Sequence, residues 1–337
     1  MKIIHTFSSQ KFTKLKDMDV AIWYMGCLCY KALGYKLKLY CTEEDIPFLF
    51  ENHLLRFYDE IDTLTFVNSD ILNSSRINHE AFWFLRKVAA MNNEFEVANE
   101  PFVYSDTDIF IFEPIDISDC DVLVWCNEKV DHLKIKSTDM YCEWKYLSTP
   151  KNYVMPKYIK KTTVDNYNTG LLYFKDKNMY RQYVKDMLDF IIDNPCECTK
   201  PEVISICEGL NDKLCAKVFS MNAEQRILKG VCNHNKLKVN VFDENGLWKA
   251  GISEKGSHYF LLKPVWSSLK NLAKDQQNFK NDKVSFSLIY AYNFVEFFER
   301  TLRENELTED YNFFMNKETL KKLHQITDVT NTFIDEA

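Results

Sequence analysis

The segment Pro101–Phe112, PFVYSDTDIFIF, sets two carboxylates one residue apart inside an otherwise apolar, strand-like run. Phe102, Val103 and Tyr104 precede them, and Ile109, Phe110, Ile111 and Phe112 follow. Runs of β-branched and aromatic residues favour buried strands. A charge held from water without a partner costs roughly several kcal/mol even after relaxation. Residues i and i+2 of an extended chain point to one side. Asp106 and Asp108 facing one crevice would attract a hard divalent cation, which cancels their mutual repulsion. The other reading is a turn or helix cap with both carboxylates in water.

Three further stretches carry polar groups beside apolar segments. Tyr167–Phe174, YNTGLLYF, is a buried strand opened by the amide of Asn168 and by Gly170, whose missing side chain lets a ligand approach the backbone. Ala223–Leu228, AEQRIL, sets the acid–amide pair Glu224 and Gln225 at the start of a helical pattern. Gly256–Pro264, GSHYFLLKP, supplies His258 and Lys263.

Elements that would position these groups alternate along the chain. Strands are expected at Lys2–Phe7, Lys36–Tyr40, near Leu64–Val67, across the quoted segment and at Asp121–Cys126. Helices are expected at Val20–Leu33, closed by Gly34, at about 44–57 and at Asn78–Met91, where apolar residues recur at helical spacing. This order predicts an α/β fold, a mostly parallel sheet flanked by helices on both faces. Ligands of such sheets sit beyond the carboxyl ends of the strands, where Asp106 and Asp108 fall.

Composition narrows the function classes. The formal charge is −7, from 42 basic and 49 acidic residues, which argues against a general nucleic-acid binder. Apolar residues make up 46% of the 337, enough for a substantial core. No run of about 18 apolar residues occurs, so no transmembrane segment is expected. The opening MKIIHTFSSQKF lacks the apolar stretch of a secretory signal. Eleven cysteines, odd in number and without a CxxC pair, fit a reducing, cytoplasmic setting better than a zinc ribbon.

In order, the DxD, the NxG strand, the acid–Gln pair and a His with a following Lys-Pro resemble the GT-A nucleotide-sugar glycosyltransferases. The likeness is to the glycogenin-like and lipopolysaccharide galactosyltransferase-like retaining enzymes, and it spans roughly residues 1–266. It implies a GT-A, Rossmann-like catalytic domain over 1–266, and the helical patterns beyond it add a C-terminal appendage over 267–337. It also implies a sugar transfer from a nucleoside-diphosphate sugar, a UDP-sugar by this likeness, to a glycan, lipid-linked or protein acceptor, with retention. Asp106, Asp108 and His258 would hold Mn²⁺ or Mg²⁺, with Asp106 also near the ribose. Lys263 would neutralise the departing diphosphate, and Glu224 and Gln225 would lie near the reacting carbon. Thr6, Phe7 and Ser8 would lie beside the nucleoside, and Arg86, Asn168 and Gly170 beside the donor.

The chain departs from those relatives in places. Four residues, none of them Gly, separate His258 from Lys263, Glu224 stands where an Asp is common, and Val265 intervenes between Lys263-Pro264 and Trp266. The segment 128–166, with Tyr141, Trp144, Tyr146, Tyr153 and Tyr158, could line an acceptor site or pack onto the core. Beyond 266, helices are expected at Leu269–Leu272, Val284–Leu302 and Thr319–Ile326, packing onto the catalytic domain or forming an acceptor-facing appendage. The aromatic Tyr290–Phe298 reads as buried packing, with a partner or dimer face as the alternative. Two rival classes are a catalytically inactive GT-A-like binding protein and a haloacid-dehalogenase-type phosphatase, whose DxD strand normally opens the domain.

Overall fold

The computed structural model describes residues 1–8, 17–75, 77, 82, 84–128, 156–159, 166–193, 222–243, 255–258, 294–317 and 320. The side chains of residues 17, 18, 128, 222, 257 and 258 are not among what it describes.

Among the described residues seven strands form one sheet: β1 (Lys2–Thr6), β2 (Lys36–Tyr40), β3 (Glu60–Asp62), β4 (Phe102–Ser105), β6 (Val122–Glu128), β7 (Asn166–Phe174) and β8 (Val239–Val241). Their order is β3-β2-β1-β4-β7-β6-β8. β1 runs parallel to β2 and β4, β2 to β3, and β6 to β8, while β7 is antiparallel to both neighbours. A second sheet pairs β5 (Ile109–Ile111) with β9 (Gly256–His258).

Alternation along the strands buries both faces. Ile3, Leu37 and Val103 enter one core with residues of α1 (Asp17–Ala32), among them Ala21 and Trp23. Ile4, Phe102 and Tyr104 enter the other with α4 (Leu85–Val97), α5 (Lys177–Asp193) and α6 (Ile227–His234). A π-helical turn, Asn222–Arg226, leads into α6. The predicted α/β architecture, a mostly parallel sheet between helical layers, is the one observed. Among the described residues no helix is long and apolar enough to cross a membrane.

Several boundaries differ from expectation for identifiable reasons. α1 ends at Ala32 and is closed as predicted by Gly34, whose φ of +78° is cheap only without a side chain. The helix expected over 44–57 is broken into α2 (Ile46–Glu51) between two short 3₁₀ turns, with His53 at a φ of 60° in the gap. The strand expected near Leu64–Val67 lies earlier, at Glu60–Asp62, and Thr65–Asn68 is a helical turn, α3. Asp62 explains the shift. Its carboxylate accepts from the backbone N–H groups of Leu64 and Thr65 and from Thr65 Oγ1, capping that turn, and Leu64 and Val67 stay exposed. The helix expected over Asn78–Met91 is described at Leu85–Val97; residues 78–81 and 83 lie outside the described residues.

The quoted segment is two strands rather than one. The chain turns at Asp106-Thr107-Asp108, with Ile109 N–H donating to Asp106 C=O at 3.2 Å, and β5 leaves the main sheet. Beyond residue 266, the described helical residues are 294–304 and a helix at Thr308–Met315 that the pattern did not suggest. Phe294, Phe298, Leu302 and Phe314 are fully buried in the core that holds Ile3 and Val103, which fits the packing reading for the described part, 294–298. Leu269–Leu272 and all of Thr319–Ile326 but Leu320 lie outside the described residues.

His5, in the middle of β1, is buried, and its Nδ1 meets Tyr58 Oη at 2.8 Å. Burial pushes its pKa down to about 3. Between its ordinary value of 6.5 and about 3, the unfolded chain binds a proton at this residue and the folded chain does not. Stability therefore falls as pH falls through that window, by up to about 1.4 kcal/mol per pH unit from this group. Urea midpoints measured from pH 7 to pH 4.5 should show this slope reduced in His5→Gln. Equal slopes would contradict it.

Candidate active site

The carboxyl ends of β1 and β4 lie side by side and carry Thr6, Phe7, Ser8, Asp106 and Asp108. Ser105, the last residue of β4, is fixed from α1 by Tyr30 Oη at 2.8 Å. Asp106 N–H donates to Gly170 C=O of β7 at 2.7 Å, and Tyr104 Oη donates to Asp106 Oδ1 at 2.8 Å. The same Tyr104 hydroxyl lies 3.2 Å from Thr6 Oγ1. Thr6, Asp106 and Gly170 are thus joined in one network. Asn168 Oδ1 accepts from Gly170 N–H at 2.9 Å, folding its side chain onto its own strand.

At the centre stands a residue that sequence reasoning missed, Lys87 of α4. Its ammonium donates to Glu224 Oε1 at 2.6 Å and to Thr169 C=O at 2.8 Å, and lies 3.8 Å from Asp106 Oδ1. Thr169 Oγ1 also donates to Glu224 Oε1, at 2.7 Å. Lys87 further sits 4.5 Å from the centre of the Tyr104 ring. Burial alone would lower its pKa, but Asp106 and Glu224 outweigh it and hold the value above the usual lysine range. Lys87 therefore stays charged. A signal was present in the sequence: Lys87 shares a helical face with Met91 and Glu94, both buried, and a lysine on such a face needs a partner.

Other predicted residues separate. Phe7 is core, packed on Trp23 and Phe48 at 4.9 and 5.4 Å between ring centres. Arg86 is half-buried; burial lowers its pKa and the nearby Asp45 opposes the shift. Ser8 Oγ and Gln225 Oε1 are buried atoms that find no hydrogen-bond partner among the described residues. Lys263 and residues 129–155 lie outside the described residues. A groove of about 890 Å³ between α4 and α5, lined in part by Asn92, Asn93 and Arg181, contains none of the candidate residues.

Asp106 is one-fifth exposed and Asp108 is buried. The backbone of His258 pairs with Ile109, the residue after Asp108, so β9 brings His258 alongside the DxD turn. Among the described residues no group of three or more His, Cys, Asp and Glu side chains is gathered. Within the network, one ammonium faces the carboxyls of Asp106 and Glu224, with Asp108 adding to its field. Carboxylate oxygens in excess over cations are the donor set a hard divalent ion prefers.

The model of a family of unknown function (DUF6734) matches residues 1–259. No curated protein matches the sequence. Two solved structures show likeness at low overlap. One is the galactosyltransferase LgtC in complex with donor and acceptor sugar analogs, 11% identical, with a TM-score of 0.32 over 66% of this chain and 70% of that one. The other is an active-site mutant of LgtC, 12% identical, with a TM-score of 0.30 over 65% and 70%.

Proposed function

The chain belongs to the family of unknown function DUF6734, which assigns it no activity, and from its site we propose that it is a GT-A-type glycosyltransferase. It moves a sugar from a nucleoside-diphosphate sugar, a UDP-sugar in this reading, to an acceptor hydroxyl, with retention and with Mn²⁺ or Mg²⁺ as cofactor. The observation that carries the reading is the DxD turn at the carboxyl end of β4, where the chain passes from one sheet to another beside the backbone of His258. The order of the four motifs supports it independently.

In the reaction, the bond from the anomeric carbon to the diphosphate oxygen breaks and its electron pair leaves with the diphosphate. A bond to the acceptor oxygen forms, and the acceptor's proton is released. Asp106, Asp108 and His258 would hold the cation, which when bound supplies Lewis acidity to the diphosphate oxygens. Lys263 adds a fixed positive charge for the same leaving group. Lys87 holds Glu224 and Asp106 in place, so Glu224 acts in this reading chiefly by fixing the ammonium. Ser8 Oγ and Gln225 Oε1, unpartnered among the described residues, are free to bond donor groups, and in this reading Thr6, Arg86, Asn168 and Gly170 lie on the donor side.

Incubation with UDP-glucose, UDP-galactose and UDP-N-acetylglucosamine should release UDP slowly by hydrolysis, with Mn²⁺ and not with EDTA. Release of inorganic phosphate from simple phosphomonoesters, with none of UDP, would favour a phosphatase and overturn the proposal. Mn²⁺-dependent binding of the nucleotide sugar with no release, in the presence of candidate acceptors, would favour the inactive binding protein.

A further inference from the structure

We propose that the helical residues 294–304, which lie beyond the stretch matched by the family model, are a positioning element of the candidate cation site. They act on Asp108 through strand β5. The inference rests on the cation-dependent reading above and adds to it a role for the C-terminal helices.

The two carboxylates of the DxD belong to different bodies. Asp106 is tied to the main sheet by its N–H to Gly170 and by Tyr104. Asp108 immediately precedes β5, a three-residue strand whose ladder partner, β9, is equally short. A two-stranded ribbon of this length does not hold itself in place. The position of Asp108 is therefore set by what packs against β5.

Two elements do so. α1 approaches at Gly26, where a Cβ would stand 2.6 Å from Ile109 O, so helix and strand touch through backbone. The rings of residues 294–304 pack against the same strand. Phe110 lies stacked with Phe297 at 6.1 Å and tilted against Phe294 at 6.3 Å, and Phe112 meets Phe297 edge-on at 5.4 Å. Phe294 stacks in turn on Phe298 at 5.6 Å, which meets Tyr24 of α1 and Phe314.

The far end of this chain of rings is anchored. Asp310, buried in the helix Thr308–Met315, meets His53 Nδ1 at 2.8 Å and accepts from Arg56. Burial would raise the Asp310 pKa, but the bonds from Arg56, His53 and Tyr24 hold it below the usual carboxylate range. Aromatic pairs of this kind carry defined geometry as well as burial. A cation held by both Asp106 and Asp108 requires the distance between the two bodies to be fixed, and displacements of about 1 Å at a site are costly.

The test is a Mn²⁺ titration in the presence of UDP, with free Mn²⁺ read by electron paramagnetic resonance, run beside thermal unfolding. Phe297→Ala should raise the Mn²⁺ Kd about tenfold, and Phe297→Leu should recover most of the loss. Phe95→Ala is the control, because Phe95 packs at 4.9 and 4.7 Å on Phe102 and Tyr180 away from the DxD turn. It should lower the melting temperature comparably and leave the Mn²⁺ Kd unchanged. If Phe297→Ala does not fold, Phe112→Leu takes its place, with a Kd raised several-fold as the expected result. A wild-type protein that binds no Mn²⁺ overturns the cation-dependent function and this inference together. A wild-type protein that binds it, with an unchanged Kd in a folded Phe297→Ala or Phe112→Leu, overturns this inference alone.

Discussion

Asp108→Asn is expected to lower Mn²⁺-dependent UDP release by about two to three orders of magnitude while the protein still folds. The amide keeps the shape of the side chain and removes the charge that would hold the cation on the donor diphosphate. Loss of one preorganised electrostatic group at a developing anion costs about 10²–10³ in rate, and a cation ligand acts on the same charge. Without a cation the clustered carboxyls repel one another. The variant should therefore melt at the wild-type temperature or above it in EDTA. Release at near the wild-type rate under saturating Mn²⁺ would remove Asp108 from the site.

Lys87→Met is expected to destabilise the fold by roughly 3–5 kcal/mol, the usual cost of breaking a buried ion pair on one side. The ammonium is enclosed by Glu224, Thr169 and the Tyr104 ring, and its loss leaves the buried Glu224 carboxyl with the Thr169 hydroxyl as its hydrogen-bond partner among the described residues. A second substitution, Glu224→Gln, removes that stranded charge. The double variant should recover much of the loss, with a coupling of about 1–3 kcal/mol between the two sites in urea unfolding. Additive effects would show that the pair does not hold the network.

What the residues disclosed on their own depended on range. The strands β1 and β2 and the glycine stop of α1 follow from local pattern, because alternation and a positive φ are written in neighbouring residues. The DxD drew attention because two carboxylates break an apolar run. The same two residues make the turn that divides that run between two sheets, and no local rule separates Phe102–Ser105 from Ile109–Ile111 by type. Leu64 and Val67 looked like strand because they are apolar, whereas the side chain of Asp62 decided the backbone there.

Lys87 escaped notice for a different reason. Its partners Thr169 and Glu224 stand 82 and 137 residues further along the chain. A buried lysine is intelligible only once the sheet and α6 have brought those groups to α4. Asp106, Gly170 and Glu224, by contrast, were each singled out by type and do meet through that lysine and the β4–β7 pairing. The support of β5 by Phe294 and Phe297 is likewise long-range, and aromatic clusters announce burial without saying against what.

The central claim is that this site binds a nucleoside diphosphate through a divalent cation. Calorimetric titration of UDP into the wild-type protein tests it most directly, once with Mn²⁺ and once with EDTA, and again with Asp108→Asn. Saturable binding with Mn²⁺ that disappears in EDTA and in the variant is the predicted result. No binding in either buffer, or binding equally strong in EDTA and in Asp108→Asn, would contradict it.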